Sequence, residues 1–301
     1  MLLVGIDLGG TAIKAGAITS EGKIVASLQI PTDLQRGAPD VLDRMAQLAH
    51  ELGAQSCVGL GVPGLIDQTV GGVQQSPNLA VIQGVPLVTE LARRLKLPTS
   101  GVQLENDANA AAIGEHWLGR GRSQQDFLLL TLGTGVGGGI VIDDHLYRGW
   151  AELGHIVVEA GGQPCQGNCH GRGHLEAVAS GHAADRVARE LWGDGASPHQ
   201  LVGRARDGDP AAVAALAHIG ELLGAAIGSL ANIFDPDIVV IGGGFGAAAG
   251  DLLLDPARAS ASREAIEPAD SNLKIVEAEL GEEAGLIGAA LVGFETFDGL
   301  R

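Results

Sequence analysis

The chain has 301 residues, 46% of them hydrophobic but only 3% aromatic, so it can fill one large or two moderate domains with cores built from Ala, Val, Leu and Ile. A net charge of −17 repels phosphate backbones and argues against a nucleic-acid partner, and three cysteines are too few for a disulfide framework. No basic leader is visible, and the longest uncharged apolar run, 128–142, is glycine-broken and too short to span a bilayer, so a cytoplasmic protein with no membrane partner is expected.

Residues 2–30 read as three short strands, LLVGIDLG, TAIKAGAIT and KIVASLQI, joined by tight turns. Apolar residues three or four apart over 39–53 predict an amphipathic helix. SCVGLGVPG reads as a buried strand that breaks at Gly61-Val62-Pro63-Gly64, and 86–97 as a helix with proline at its start. GVQLEND, at 101–107, is a strand handing over to the helix ANAAAIGEHWLG. A second hairpin follows, DFLLLTLGTG and VGGGIVIDD, and after it the unusual stretch CQGNCHGRGHLE at 165–176. Helices dominate 180–233, interrupted by a polar turn at GDGASPHQ, 193–200. PDIVVIGGGFG is a strand, a glycine turn and a helix start; 273–280 is a strand and 282–297 the final helix. Two blocks therefore open with strand, Gly/Thr turn, strand. That pattern reads as a duplicated α/β unit with a boundary near 108–120.

The two turns, DLGGT at 7–11 and TLGTGVGG at 131–138, are candidate phosphate cradles. Glycine lets the backbone approach a ligand, successive N–H groups bind anions, and Thr11 and Thr134 add hydroxyl donors. Each alone is equally well an ordinary hairpin turn; together, with Asp7 beside the first, they favour phosphate. With only four lysines, Lys14, Lys23, Lys96 and Lys274, an anionic ligand depends on such local donors. GTGVGG matches G-x-G-x-x-G, but a strand follows it rather than a helix, so it is no dinucleotide fingerprint. IGGGFGAAAG, 241–250, does lead from strand to helix, with Gly244, Gly246 and Ala249 in the fingerprint places. Only one clear strand remains after it, so a Rossmann domain does not fit, though an adenosine can lie against the turn. No P-loop occurs.

Asp107 and Asn106 sit where a strand hands over to a helix. Asp107 can be a helix cap, or a base that takes a proton from a substrate hydroxyl. Glu152, His155 and Glu176 suit a polyhydroxyl ligand, or else decorate a solvated loop. Cys165, Cys169, His174 and His155 can supply four zinc ligands, although the spacing matches no common finger and a chance cluster is the alternative. C-x-x-C is absent, which disfavours redox work.

Taken together, D-L-G-G-T-A-I-K (7–14), G-V-P-G (61–64), S-P-N-L (76–79), E-N-D-A-N-A-A-A (105–112), L-G-T-G-V-G-G-G (132–139), E-L-G-H (152–155), the Cys/His/Glu stretch and A-G-L-I-G-A-A (284–290) resemble the ROK family of sugar kinases and repressors, and within it the glucokinases. The resemblance covers nearly the whole chain. It implies an α/β, actin-like (ribonuclease H-like) duplicated two-domain ATPase fold with a central cleft. The domains would be 1–115, joined by the C-terminal helix 287–301, and 116–286 with a zinc-binding loop. It implies ATP-dependent phosphorylation of a hexose, D-glucose foremost, with Mg²⁺, a structural Zn²⁺ and a homodimer in the cytoplasm. Asp107 would activate the sugar's 6-hydroxyl, and Asn106, Glu152, His155 and Glu176 would hold other hydroxyls, with Asn78 near them. Gly9, Gly10, Thr11, Gly133, Thr134 and Gly135 would contact phosphates, helped by Lys14, and Gly243 and Gly244 the adenosine side. There is one departure. The family pattern C-x-C-G-x-x-G-C-x-E becomes C-x-x-x-C here, with His174 where the third cysteine is expected.

Other readings are a kinase for mannose, fructose or an N-acetylhexosamine, a sugar-binding repressor and a nucleotide-dependent oxidoreductase. The repressor reading lacks a winged helix before the first strand and meets the wrong charge for DNA. The oxidoreductase reading rests only on the IGGGFG turn.

Overall fold

The computed structural model describes residues 2–76, 79–167 and 169–295. The chain divides into two compact units, one running to Leu118 and resuming at Glu283, the other spanning Gly119–Glu282. In the first, β1 (Leu2–Leu8), β2 (Ala12–Thr19) and β3 (Ile24–Pro31) form an antiparallel meander. Then come α1 (Ala38–Glu51), β4 (Val58–Val62), the small hairpin β5 (Leu65–Asp67) and β6 (Gly72–Gln75), α2 (Leu87–Leu95), β7 (Val102–Asn106) and α3 (Asp107–Leu118). The five main strands lie in the order β3-β2-β1-β4-β7, with β1, β4 and β7 parallel. Every residue of β4, VGLGV, is buried, as a central parallel strand covered on both faces requires.

The second unit repeats the plan. Its strands are β8 (Phe127–Leu132), β9 (Val136–Ile142) and β10 (His145–Leu146); α4 (Leu175–Ala179), α5 (Gly181–Trp192), α6 (Pro198–Arg206) and α7 (Pro210–Phe234) follow. β11 (Ile238–Gly242), α8 (Gly244–Ala249), α9 (Asp251–Glu264), α10 (Ala269–Asn272) and β12 (Ile275–Glu277) complete it. The sheet order is β10-β9-β8-β11-β12, again two antiparallel pairs followed by two parallel ones. The same strand order built twice is the actin-like, ribonuclease H-like arrangement. The last helix, α11 (Ala284–Glu295), belongs to the first unit and packs on β1, β4 and α3. Gly59 of β4 permits that approach, because a side chain there would collide with the backbone carbonyl of Ala289.

Helix starts follow cap chemistry. Ser197 accepts from the Gln200 N–H ahead of Pro198, and Asp209 accepts from Ala211 and Ala212 ahead of Pro210. The first of these places α6 partly inside the expected polar turn 193–200: serine and proline there begin a helix rather than end one. α9 was not legible either, since Pro256 lies inside it and interrupts the helical pattern. The expected strand 273–280 is ladder-paired only over Ile275–Glu277. α7 is long and apolar enough to cross a membrane by length and composition; in this fold it packs on α9, α6 and α4, burying Leu216, Ile219, Leu223 and Ile227.

Candidate active site

In the first unit the carboxyl ends of β1, β4 and β7 share one edge. Asp7 aligns with Gly61, and Val62 with Asn106. Such an edge is where α/β sheets bind ligands. The Gly9-Gly10-Thr11 turn closes there with Gly9 N–H donating to Ala12 O at 3.0 Å. Fully buried Thr32 holds the turn from behind. Its hydroxyl donates to Gly9 O at 2.6 Å and its N–H to Thr11 O at 2.9 Å. A planar trans peptide places N–H opposite C=O, so tying the Gly9 carbonyl inward turns the Gly10 N–H the other way. Asp7 and Lys14 are cross-strand partners. Burial pushes the Asp7 carboxyl above the usual range, and the Lys14 ammonium opposes that shift.

At the end of β7, Asn106 is the cap of α3. Its Oδ1 accepts from the Ala108 N–H at 2.9 Å and the Asn109 N–H at 3.1 Å, and its Nδ2 donates to Gly64 O at 3.1 Å. Asn106 thus has a structural role beside the sugar role the resemblance implies. Asp107 opens α3, and its Oδ1 accepts from the Ala108 N–H at 2.9 Å. Buried Glu105 braces this corner by accepting from Asn109 Nδ2 and from the Asn106 N–H, both at 3.0 Å. Asn78 lies outside the described residues.

In the second unit the corresponding edge carries the β8–β9 turn and the start of α8. The Gly133 carbonyl accepts from the Gly181 N–H at 2.7 Å, and the Thr134 carbonyl from the His182 N–H at 3.3 Å. By the same peptide geometry the N–H groups of Thr134 and Gly135 turn away from α5. Gly243 has φ 83°, and a Cβ on it would stand 2.5 Å from the carbonyl carbon of Leu132, so only glycine lets β11 end this close to β8. The result is a cavity of about 530 Å³ that brings Gly133 and Thr134 together with Gly244, and adds His182, His199 and Phe245.

The Cys/His residues form one cluster. The Nδ1 atoms of His155 and His174 are 3.2 Å apart, Cys165 Sγ is 3.6 Å from His155 Nδ1, and Cys169 Sγ is 3.5 Å from His174 Nδ1. All four ligand atoms lie within 4.8 Å of one another. A tetrahedron with ordinary zinc bond lengths has edges of about 3.4 Å between nitrogens and about 3.6 Å between sulfur and nitrogen, so the donor set fits Zn²⁺. Burial pushes the Cys165 thiol up to about 12, with Cys169 and then Glu176 adding to it, so negative charge here calls for a cation.

Glu176, in the first turn of α4, touches this cluster and the glycine turn at once. Its Oε2 accepts from the Val136 N–H at 3.1 Å and its Oε1 is 3.8 Å from Cys165 Sγ. Glu152 precedes the short turn that carries His155. Glu152 is exposed overall, yet burial around its carboxyl pushes that group above its ordinary value; His155 opposes this and Glu176 reinforces it. Thr32 and the cavity residues of α5 and α6 carried no sequence signal, because single polar residues on helices and loops reveal nothing until the fold assembles them. Asp7 did carry one, as the acid two residues ahead of a Gly-Gly turn.

A family model described as the ROK family matches residues 3–294. A glucokinase of Thermotoga maritima is 38% identical over 318 residues, covering 99% of this chain and 98% of that protein. The ROK family glucokinase of Streptomyces griseus, solved with glucose and AMPPNP, matches with a TM-score of 0.82 at 35% identity, covering 97% of this chain and 99% of that one. The ROK hexokinase of Thermus thermophilus matches with a TM-score of 0.85 at 33% identity, covering 99% and 100%.

Proposed function

The chain belongs to the ROK family, and from that premise we propose that it transfers the γ-phosphoryl group of ATP to the 6-hydroxyl of a hexose, D-glucose foremost. The observation that carries the nucleotide half is the cavity in which a glycine hairpin turn and a glycine-started helix meet. Thr134 and Gly135 offer backbone and hydroxyl donors to phosphates on the turn that Gly133 closes, while Gly243 lets β11 end against β8 and Gly244 leaves room for the adenosine side. In the first unit Gly10 and Thr11 offer a second set of donors on the turn that Gly9 closes, with Lys14 beside them.

Asp107 acts as general base. Its carboxylate takes the proton of the 6-hydroxyl as that oxygen bonds to the γ-phosphorus; the bond from the γ-phosphorus to the β–γ bridging oxygen breaks, and ADP leaves. Base help of this kind is worth about 10²–10⁴ in rate. Glu152, His155 and Glu176 orient the remaining hydroxyls, with Asn106 holding the strand end from which Asp107 projects. The carboxylate that fits Mg²⁺ is Asp7, whose burial makes its ionised form favour a nearby cation. When bound, Mg²⁺ supplies charge neutralisation on the phosphate oxygens. His155, Cys165, Cys169 and His174 would hold Zn²⁺, which supplies rigidity to a loop with little core of its own. Cytoplasmic residence and a homodimer are part of this reading; sedimentation measures the second.

The decisive assay is ADP release with Mg·ATP over a panel of glucose, mannose, fructose and N-acetylhexosamines, with polyphosphate as an alternative donor. Turnover with glucose at the highest kcat/KM supports the reading. No ADP release with any sugar refutes it.

A further inference from the structure

We propose that Gln166 is a positioning residue that couples the metal loop to the nucleotide site by holding the Thr134 peptide in its phosphate-facing orientation. This rests on the reading that the cavity at Gly133, Thr134 and Gly244 takes a nucleotide. Gln166 Nε2 donates to the Thr134 carbonyl at 3.3 Å, beside the His182 N–H on the same oxygen. Orienting that carbonyl sets the Gly135 N–H on the opposite side of the peptide plane. One turn further on, Glu176 receives the Val136 N–H at 3.1 Å. Both ties come from the segment that carries Cys165, Cys169 and His174, and Gln166 directly follows Cys165, whose N–H is bonded to Gly171 O at 2.9 Å.

Gln166 also lies within the departure from the family pattern. Three residues separate the cysteines here in place of one, and Gln166 is among them. Gln166 reaches the β8–β9 turn while Cys165 stays in the cluster. A site that shapes a second site must feel it in return, because coupling free energies are reciprocal. Bound metal therefore tightens nucleotide binding, and bound nucleotide slows metal loss.

The test uses the full, zinc-loaded chain. AMPPNP affinity with Mg²⁺ is measured by calorimetry, zinc content by metal analysis, and KM for ATP and for hexose separately. Gln166→Ala should keep its zinc, weaken AMPPNP and raise the ATP KM about three- to tenfold, the scale of one neutral hydrogen bond, and leave hexose KM within about twofold. Gln166→Lys, which keeps a long donor, should restore most of the affinity; Gln166→Met, of similar length without a donor, should not. AMPPNP should slow zinc transfer to a chelator in the wild type and not in Gln166→Met. Unchanged AMPPNP affinity in Gln166→Ala, or zinc lost from it, overturns the positioning role. A wild type that binds no AMPPNP removes the nucleotide reading and this inference with it.

Discussion

Gly135→Ala tests how closely the glycine turn and the carboxylate of Glu176 are fitted to each other. A Cβ at residue 135 would overlap Glu176 Oε2, stand 3.0 Å from its carboxyl carbon and 3.3 Å from Gln166 Nε2. Ordinary contact begins near 3.4 Å, so Oε2, the atom in the way, must withdraw by more than about 1 Å. Oε2 is the atom that accepts from the Val136 N–H at 3.1 Å, so that hydrogen bond is lost. A hydrogen bond to a charged group is worth about 1.5–3 kcal/mol, equivalent to roughly 10- to 100-fold in an equilibrium or rate ratio. The cost should divide between stability and substrate use: a lower midpoint in urea unfolding, and a raised KM for hexose and for ATP. An alanine variant with the wild-type unfolding midpoint and unchanged kcat/KM for hexose would refute the placement of Glu176 against this turn.

Asp107→Asn should lower kcat by about 10²–10⁴ while circular dichroism and hexose binding stay near wild type; near-normal turnover removes Asp107 from the mechanism. Cys169→Ser should abolish stoichiometric zinc and lower the thermal midpoint, read by metal analysis and calorimetry on the same sample; a wild type without zinc ends the metal reading. Asp7→Asn separates stability from activity. Burial raises the Asp7 carboxyl, so its neutral form contributes stability that is complete below the unfolded-chain pKa and lost as pH rises through the higher folded value. At neutral pH without Mg²⁺ the asparagine variant should therefore melt higher than wild type, with the gain vanishing on acidification, while Mg²⁺-dependent turnover falls. A variant that melts lower at neutral pH contradicts the sign.

Much of this protein was written locally. The buried strand β4, the long apolar α7 and the two strand–turn–strand openings each follow from residues close together in the chain, through periodicity and glycine placement. The fold class and family followed from those motifs in order. What stayed hidden was either noisy in its local signal, as in α6 and α9 where proline lies in or at the head of a helix, or had no local signal at all. Thr32 is an ordinary threonine until the meander returns it to Gly9, and no local signal showed that Asn106, a ligand candidate, also caps α3 and binds Gly64.

The amino-acid order alone determined which chemistry was available: glycine turns able to cradle anions, carboxylates at strand ends, and two thiols with two imidazoles on one loop. Tertiary structure alone decided which of these groups meet. Gly133 and Gly244 share a cavity because β8 and β11 pair in parallel, and the imidazoles present Nδ1 to the thiols because the loop folds back on itself. The physical reason is range. Propensity and capping act over a few residues, whereas hydrogen-bond ladders and close packing join residues a hundred positions apart and set their distances.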